Sequence, residues 1–292
     1  MQFVFLIWIV LGVIGYFKKT SGRTIGNMKM AVKFSMLLNL FAVVFASVLA
    51  LLAKATVSFS LPMLLCAGML GLVTAIDLVV GLWLSKTSIT ALLAIANQGG
   101  AVIFSTLAGI LFFGNDVKWI QWAFFVLFMV SSYILCGTSK DIYEDFSFKT
   151  VFLLVIHFVC GGLATVSLQT FAKVCDGDKN VFLVLAYLIT QFSLLLVLPF
   201  MRSDDQPSNN KIPLKLKFFA LCLGVSTALY QIFTVLAANV LDPIVQFSFI
   251  AVGSIVANML VGVLFFREKI TLKSAIAVTA SAISVVMINY FN

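Results

Sequence analysis

Charge is scarce in this chain of 292 residues: 10% are Asp, Glu, Lys or Arg, whereas 62% are hydrophobic. So little polar surface cannot cover a water-soluble globule, and a mean hydropathy of +1.14 puts the chain in a lipid bilayer. Alternation of apolar and polar residues with period two is absent, which excludes barrel strands and leaves helices as the spanning elements. Histidine is confined to His157. A metal site would depend on Cys160 three residues on, and none is expected. The Gly-x-x-x-x-Gly-Lys-Ser/Thr loop that cradles nucleotide phosphates is missing, and with it a means of driving work with ATP. No cofactor is implied. An intramembrane aspartyl protease needs two interior Asp residues and only Asp77 qualifies, while no serine on a glycine elbow accompanies His157. The chain does not read as an enzyme.

What is present is a series of apolar runs. A span takes roughly 20 mainly apolar residues. Ten runs can be counted between charged or turn-forming clusters, at 2–17, 31–53, 61–84, 88–113, 119–137, 148–171, 181–201, 214–239, 243–266 and 271–291. The first has no charge before it and Lys18, Lys19, Arg23, Lys29 and Lys33 after it. That is the reverse of a cleavable signal, so it reads as a membrane helix. The longest polar stretches, 18–29 and 202–211, make no soluble domain, and function is expected in the membrane.

Residues 71–113 recur 153 positions later as 224–266 with no gap. Gly71, Thr74 and Ala75 match Gly224, Thr227 and Ala228, and Gly100 matches Gly253. Gly109, Leu111, Phe112 and Phe113 match Gly262, Leu264, Phe265 and Phe266. Two copies of one unit in an apolar chain is the pattern of secondary transporters, which hold substrate between repeats and rock one against the other. Five helices per unit make the copies inverted. The expected fold is an all-α integral membrane protein, ten transmembrane helices in two inverted five-helix repeats, 1–139 and 140–292, forming one membrane domain.

Of 19 Lys and Arg residues, 15 fall in the odd connections (first to second helix, third to fourth and onward). Only Lys54, Lys118, Lys173 and Lys179 fall in the even ones. By the positive-inside rule the odd connections face the cytoplasm and both termini lie outside. The net charge of +8 is mostly this asymmetry. A nucleic-acid footprint would need an exposed domain to carry it, and no such partner is expected.

Three motifs sharpen the picture: Gly224-xx-Thr227-Ala228-Leu229-Tyr230 in the eighth run, Asp242-Pro243 opening the ninth, and Phe265-Phe266-Arg267-Glu268-Lys269-Ile270 closing it. On ten helices in two repeats they resemble the drug/metabolite transporter superfamily, and within it the ten-helix EamA-like permeases. The first copy departs, reading Phe113-Gly114-Asn115-Asp116 and Ser88-Ile89-Thr90 where the second has the glutamate motif and the proline. The resemblance implies a path lined by the first, third and fourth helices of each repeat. It also implies cytoplasmic termini, opposite to the charge distribution.

A charge inside a span costs about 2.5–3.5 kcal/mol on insertion scales, and two ionisable groups read as lying well inside, Asp77 and His157. Asp77 takes the position of Tyr230 in the second copy. It reads as a protonatable carboxylate that binds a proton or a cationic substrate group, or as a structural acid satisfied by Thr74 one turn back. His157 can titrate near neutrality facing the same cavity, or hydrogen-bond a neighbouring helix. Trp83, Asn97, Gln98, Tyr230, Gln231, Gln246 and Asn258 would shape the cavity, with interhelical bridging as the alternative for the amides. Gln169 and Gln191 are further candidates, and the implied path favours Gln98 and Gln246 over Gln191. Such a cavity suits a small amphipathic metabolite such as an amino acid, nucleobase or vitamin. Phosphates would want interior Lys or Arg, and none is expected. Glu268 is expected to cap a helix or pair with Lys269 at the interface.

Gly99-Gly100 and Gly161-Gly162 are expected bend points, and the rows Ala101, Ser105, Gly109 and Ser254, Asn258, Gly262 are expected to pack helices closely. Five cysteines show no pairing pattern and read as small hydrophobes. The expectation is a monomeric secondary active transporter of the cell membrane. It would move a small organic metabolite or drug by alternating access, coupled to protons or another gradient. The alternative is a receptor or scaffold that keeps the fold without transporting.

Overall fold

The computed structural model describes residues 2–88, 90–113, 118–142, 147–175, 177–200, 212–238, 243–268 and 271–290. They form ten α-helices: α1 (Gln2–Thr24), α2 (Met28–Leu52), α3 (Leu61–Thr87), α4 (Thr90–Phe113), α5 (Trp119–Ile142), α6 (Phe148–Val174), α7 (Lys179–Val197), α8 (Leu214–Ala238), α9 (Pro243–Phe266) and α10 (Leu272–Tyr290). A 3₁₀ turn, Leu198–Phe200, prolongs α7. Among the described residues there is no strand. Eight helices are long and apolar enough to cross a bilayer, whereas the apolar parts of α5 and α10, Trp119–Leu135 and Leu272–Met287, are shorter. The chain is a multi-pass helical membrane protein.

Helix boundaries follow local chemistry. Asn27, Ser60 and Asp178 each accept a hydrogen bond from a backbone N–H of the turn they open, that of Met30, Met63 and Asn180. α2 stops where Lys54 turns left-handed at φ 52°, with the Ala55 N–H donating to the Ala50 carbonyl and the Lys54 N–H to Leu51. Two boundaries differ from the sequence reading. α1 continues past Phe17 to Thr24 because Lys19 is buried and paired instead of solvated. α5 continues to Ile142, so the expected division between 139 and 140 falls inside a helix.

The helices pack as an exchange pattern. α1 lies on α8 and α9 as α6 lies on α3 and α4; α2 lies on α7 and α8 as α7 lies on α2 and α3; α4 faces α9 and α5 faces α10. Swapping α1–α5 for α6–α10 returns the same set. The repeated glycines sit at matching crossings. A Cβ on Gly71 would come within 2.7 Å of the Ala186 carbonyl of α7, and one on Gly224 would meet the Leu38 carbonyl of α2. Likewise Gly100 abuts the Phe158 carbonyl of α6, and Gly253 abuts the Trp8 ring of α1. Backbone contact of this kind is what small residues supply between membrane helices.

Two apolar cores flank the centre. One joins α4, α5, α9 and α10 around Ile95, Phe128, Ile255 and Val285. The other joins α2, α3, α6 and α7 around Met63, Leu70, Phe171 and Phe182, where the last two rings stack at 3.9 Å. Leu, Val and Phe on the outer faces, such as Phe152, Leu188 and Leu264, remain exposed, as a lipid-facing surface requires.

Candidate functional site

Between the two cores, α1, α3, α4, α6, α8 and α9, with Leu38 of α2, line a central cavity of about 190 Å³. Its walls mix aliphatic side chains such as Leu78, Leu93 and Leu223 with an unusual concentration of polar groups for a membrane interior. α5, α7 and α10 contribute nothing to the lining among the described residues.

At the middle of the cavity Asp77 of α3 meets His157 of α6. Asp77 Oδ1 lies 2.5 Å from His157 Nδ1, and the Asn97 amide of α4 donates to the same oxygen at 3.4 Å. His157 is 2% exposed, whereas the Asp77 side chain keeps 23% of its surface open. The carboxyl therefore faces the cavity and the imidazole stands behind it. Lys18 of α1 lies alongside, over Gly81, where a Cβ would come within 2.5 Å of Lys18 Cε. Gly81 thus makes room for an ammonium that acts on Asp77 through space. On the facing wall the Tyr230 phenol of α8 interacts with the Gln98 amide of α4.

A second charged cluster closes the end of the cavity where α1 finishes and α4 begins. Lys19 Nζ donates to Glu268 Oε1 at 2.5 Å and to the Ser88 carbonyl at 2.8 Å, with Lys19 1% exposed. The Glu268 carboxylate also accepts from the Thr90 backbone N–H at 3.1 Å and the Thr90 hydroxyl at 2.9 Å. It therefore caps the N-terminus of α4, where the helix dipole favours negative charge. The local sequence explains how Glu268 reaches in. Arg267 takes a left-handed conformation at φ 54°, turning the chain back so that the Glu268 N–H donates to the Gly262 carbonyl. Gly262 has no side chain to block the carboxylate, and a Cβ there would collide with Oε2. The repeated glycine and the Arg267-Glu268 pair form one device.

Most of the residues singled out in the sequence converge here. Asp77, Asn97, Gln98, His157, Tyr230, Gln231 and Asn258 all line the cavity. Trp83 does not, as its ring stacks under the Lys86 ammonium at 4.6 Å. Gln169 is buried away from the lining. Gln191 bridges helices, its side-chain oxygen accepting from Asn39 at 3.0 Å. The side chain of Gln246 and residue Asp242 lie outside the described residues.

One expectation is corrected. Interior lysine was not foreseen, yet Lys18 and Lys19 both line the cavity. A pair of lysines after an apolar run reads as interfacial, but Gly12, Gly15, Gly22 and Lys19 share one helix face, and glycines at that spacing signal continued packing. Glu268 caps a helix, as one expectation had it, and also pairs with Lys19 because the left-handed turn aims it inward, while Lys269 lies outside the described residues. At the glycine pairs α4 and α6 continue as helices, and Gly161 abuts the Asn97 carbonyl in a close crossing. Cys66 and Cys175, for which no pairing was read, interact through their thiols.

No family model matches the chain, and neither does any curated protein.

Proposed function

We propose that the protein is a secondary transporter of ten transmembrane helices in two inverted five-helix repeats, moving a small organic solute by alternating access. The observation that carries this reading is the central cavity, lined mainly by the first, third and fourth helices of each half and holding an accessible carboxyl paired to a histidine. A receptor pocket needs neither a titratable pair at its centre nor contacts that exchange between halves. The packing pattern, the repeated glycines at matching crossings and the sequence resemblance to EamA-like permeases support it further.

In the proposed cycle the solute enters the cavity while Lys19–Glu268 holds α1, α4 and α9 together at one end. Releasing that lock and closing the other end would present the solute to the opposite side. Asp77–His157 carries the coupling proton, since a proton on this pair changes the charge of the cavity at the point where solute sits. With no nucleotide loop in the sequence, the driving force is a gradient.

The test is flux in liposomes containing the purified protein, using a panel of small organic acids, amino acids and nucleobases with and without a pH gradient. Saturable uptake that responds to the gradient is expected. Specific binding with no flux for any solute would favour a receptor or scaffold and end the transport reading.

A further inference from the structure

The charges around the cavity do not balance in a way that suits a cation. Lys19 and Glu268 neutralise each other at 2.5 Å. Of the remaining ionisable groups, α1 offers Lys18, α3 offers Asp77, α6 offers His157 and Cys160, α8 offers Tyr230, and the α4 lining offers none. Arg23 lies over the Phe266 ring and Lys86 over Trp83, outside the lining. Asp77 is engaged by His157 and Asn97. No carboxylate lies within 4.0 Å of Lys18 among the described residues. The site thus holds a cation with no contact partner, aimed into a cavity, next to an acid whose own partners are already in place.

We infer that the cavity takes a small organic monocarboxylate at Lys18 and binds one proton on Asp77–His157 together with it. This rests on the reading of the cavity as a solute site. With neutral imidazole the empty site is balanced, Asp77 against Lys18. An anion alone would leave one uncompensated negative charge in a low-dielectric interior, and a proton alone one positive charge, each costly. Binding both restores neutrality. The position between Nδ1 and Oδ1 already holds a proton, so the added one goes to the far imidazole nitrogen or to the second carboxylate oxygen, and the hydrogen bond between the two residues stays in place. One available cation selects a single negative charge, because Lys19, the only other ammonium in the lining among the described residues, is held by Glu268 and Ser88.

A second observation gives the rest of the molecule. Gln231 lines the cavity, and its Oε1, turned into the wall, has no hydrogen-bond partner among the described residues. An unpaired buried acceptor is costly, and a turn of the Gln231 amide toward a hydroxyl or N–H on the bound acid would satisfy it. The remaining surface is aliphatic, from Leu78, Leu93 and Leu223. The ligand is a compact carboxylate with one hydrogen-bond donor and a hydrocarbon face.

The experiment is titration of the purified protein with lactate, nicotinate and benzoate, each beside its neutral amide, and with alanine and inorganic phosphate, over a pH series in weak buffer. At least one acid is expected to bind while its amide does not, with uptake of one proton per acid. Affinity should weaken as pH rises, approaching about tenfold per pH unit once the empty pair is unprotonated, because bound and free states then differ by one proton. Lys18→Gln should lose acid binding at least about tenfold, the worth of a single charge-assisted hydrogen bond, and Lys18→Arg should keep it. Equal binding of acid and amide, preference for alanine or phosphate, binding without proton uptake, or no acid binding at all would each overturn the inference. If Lys18→Gln fails to fold, the wild-type comparison of acid with amide decides alone. Flux separates the two readings: uptake of a neutral solute without protons keeps transport and removes the monocarboxylate, whereas acid binding with no flux does the reverse.

Discussion

Lys19–Glu268 and Asp77–His157 both join a residue of α1–α5 to one of the second half, and both close to 2.5 Å. Their surroundings differ. The first pair is sealed, at 1% and 9% side-chain exposure, and Glu268 is further bound by the Thr90 N–H and hydroxyl. The second is open on one side, with 23% of Asp77 accessible and a single long amide contact beside it. A saturated, buried pair is fixed in its charge state and resists separation, so it holds. A half-exposed pair with room at one edge can gain or lose a proton without repacking, so it responds. In the proposed cycle two pairs of similar length would serve as lock and as sensor, and what separates them is how many other donors surround the carboxylate.

The largest effect expected from breaking this contrast is at the lock. Glu268→Gln leaves the Lys19 ammonium buried without a counter-charge and should cost about 3–5 kcal/mol, read as a lowered midpoint of thermal unfolding in detergent. An unchanged midpoint would mean Lys19 reaches solvent. The double change Lys19→Met with Glu268→Leu should recover most of that loss, since packed apolar residues often replace a buried pair without penalty.

Next comes Gly262→Ala, which pushes a methyl group against the Glu268 carboxylate. About 1–3 kcal/mol is expected, and adding Glu268→Leu should erase the difference between glycine and alanine, measured as a double-mutant cycle. At the sensor the stability effect should be smaller. Asp77→Asn keeps the shape and should change unfolding by about 1 kcal/mol, yet it should flatten the pH dependence of acid binding in the titration series. A pH response that survives would move the titrating group elsewhere. Smallest is Asn97→Ala, where losing one 3.4 Å hydrogen bond to Asp77 should cost about 0.6 kcal/mol and leave the pH response in place.

The helices were legible because lipid imposes one rule along the whole chain: long apolar runs with breaks at charge. Where a charge is itself buried, the rule fails, as at Lys18 and Lys19, through which α1 continues. Asp77 and His157 were legible as isolated ionisable groups inside apolar runs. Their meeting was not, since 80 residues separate them and only the packing of α3 on α6 brings them together. The repeat marked Gly71, Gly100 and their partners as special, and the crossings give the reason. Glu268 stood out in a motif, but its direction depends on the left-handed turn at Arg267, which a run of Phe-Arg-Glu-Lys does not announce. The amides behaved unevenly: Gln98 and Gln231 reach the cavity while Gln191 is spent on Asn39. Apolar neighbours look alike in both settings, and only the helix face decides.

The most direct test compares net accumulation with counterflow of lactate, nicotinate and benzoate, each radiolabelled, in liposomes carrying the wild type or Asp77→Asn, under an imposed pH gradient. The wild type is expected to accumulate at least one of these acids on the acid-to-alkaline gradient and also to exchange it, while Asp77→Asn exchanges without accumulating. Accumulation by Asp77→Asn equal to that of the wild type, or no exchange by the wild type at all, would contradict the proposed cycle.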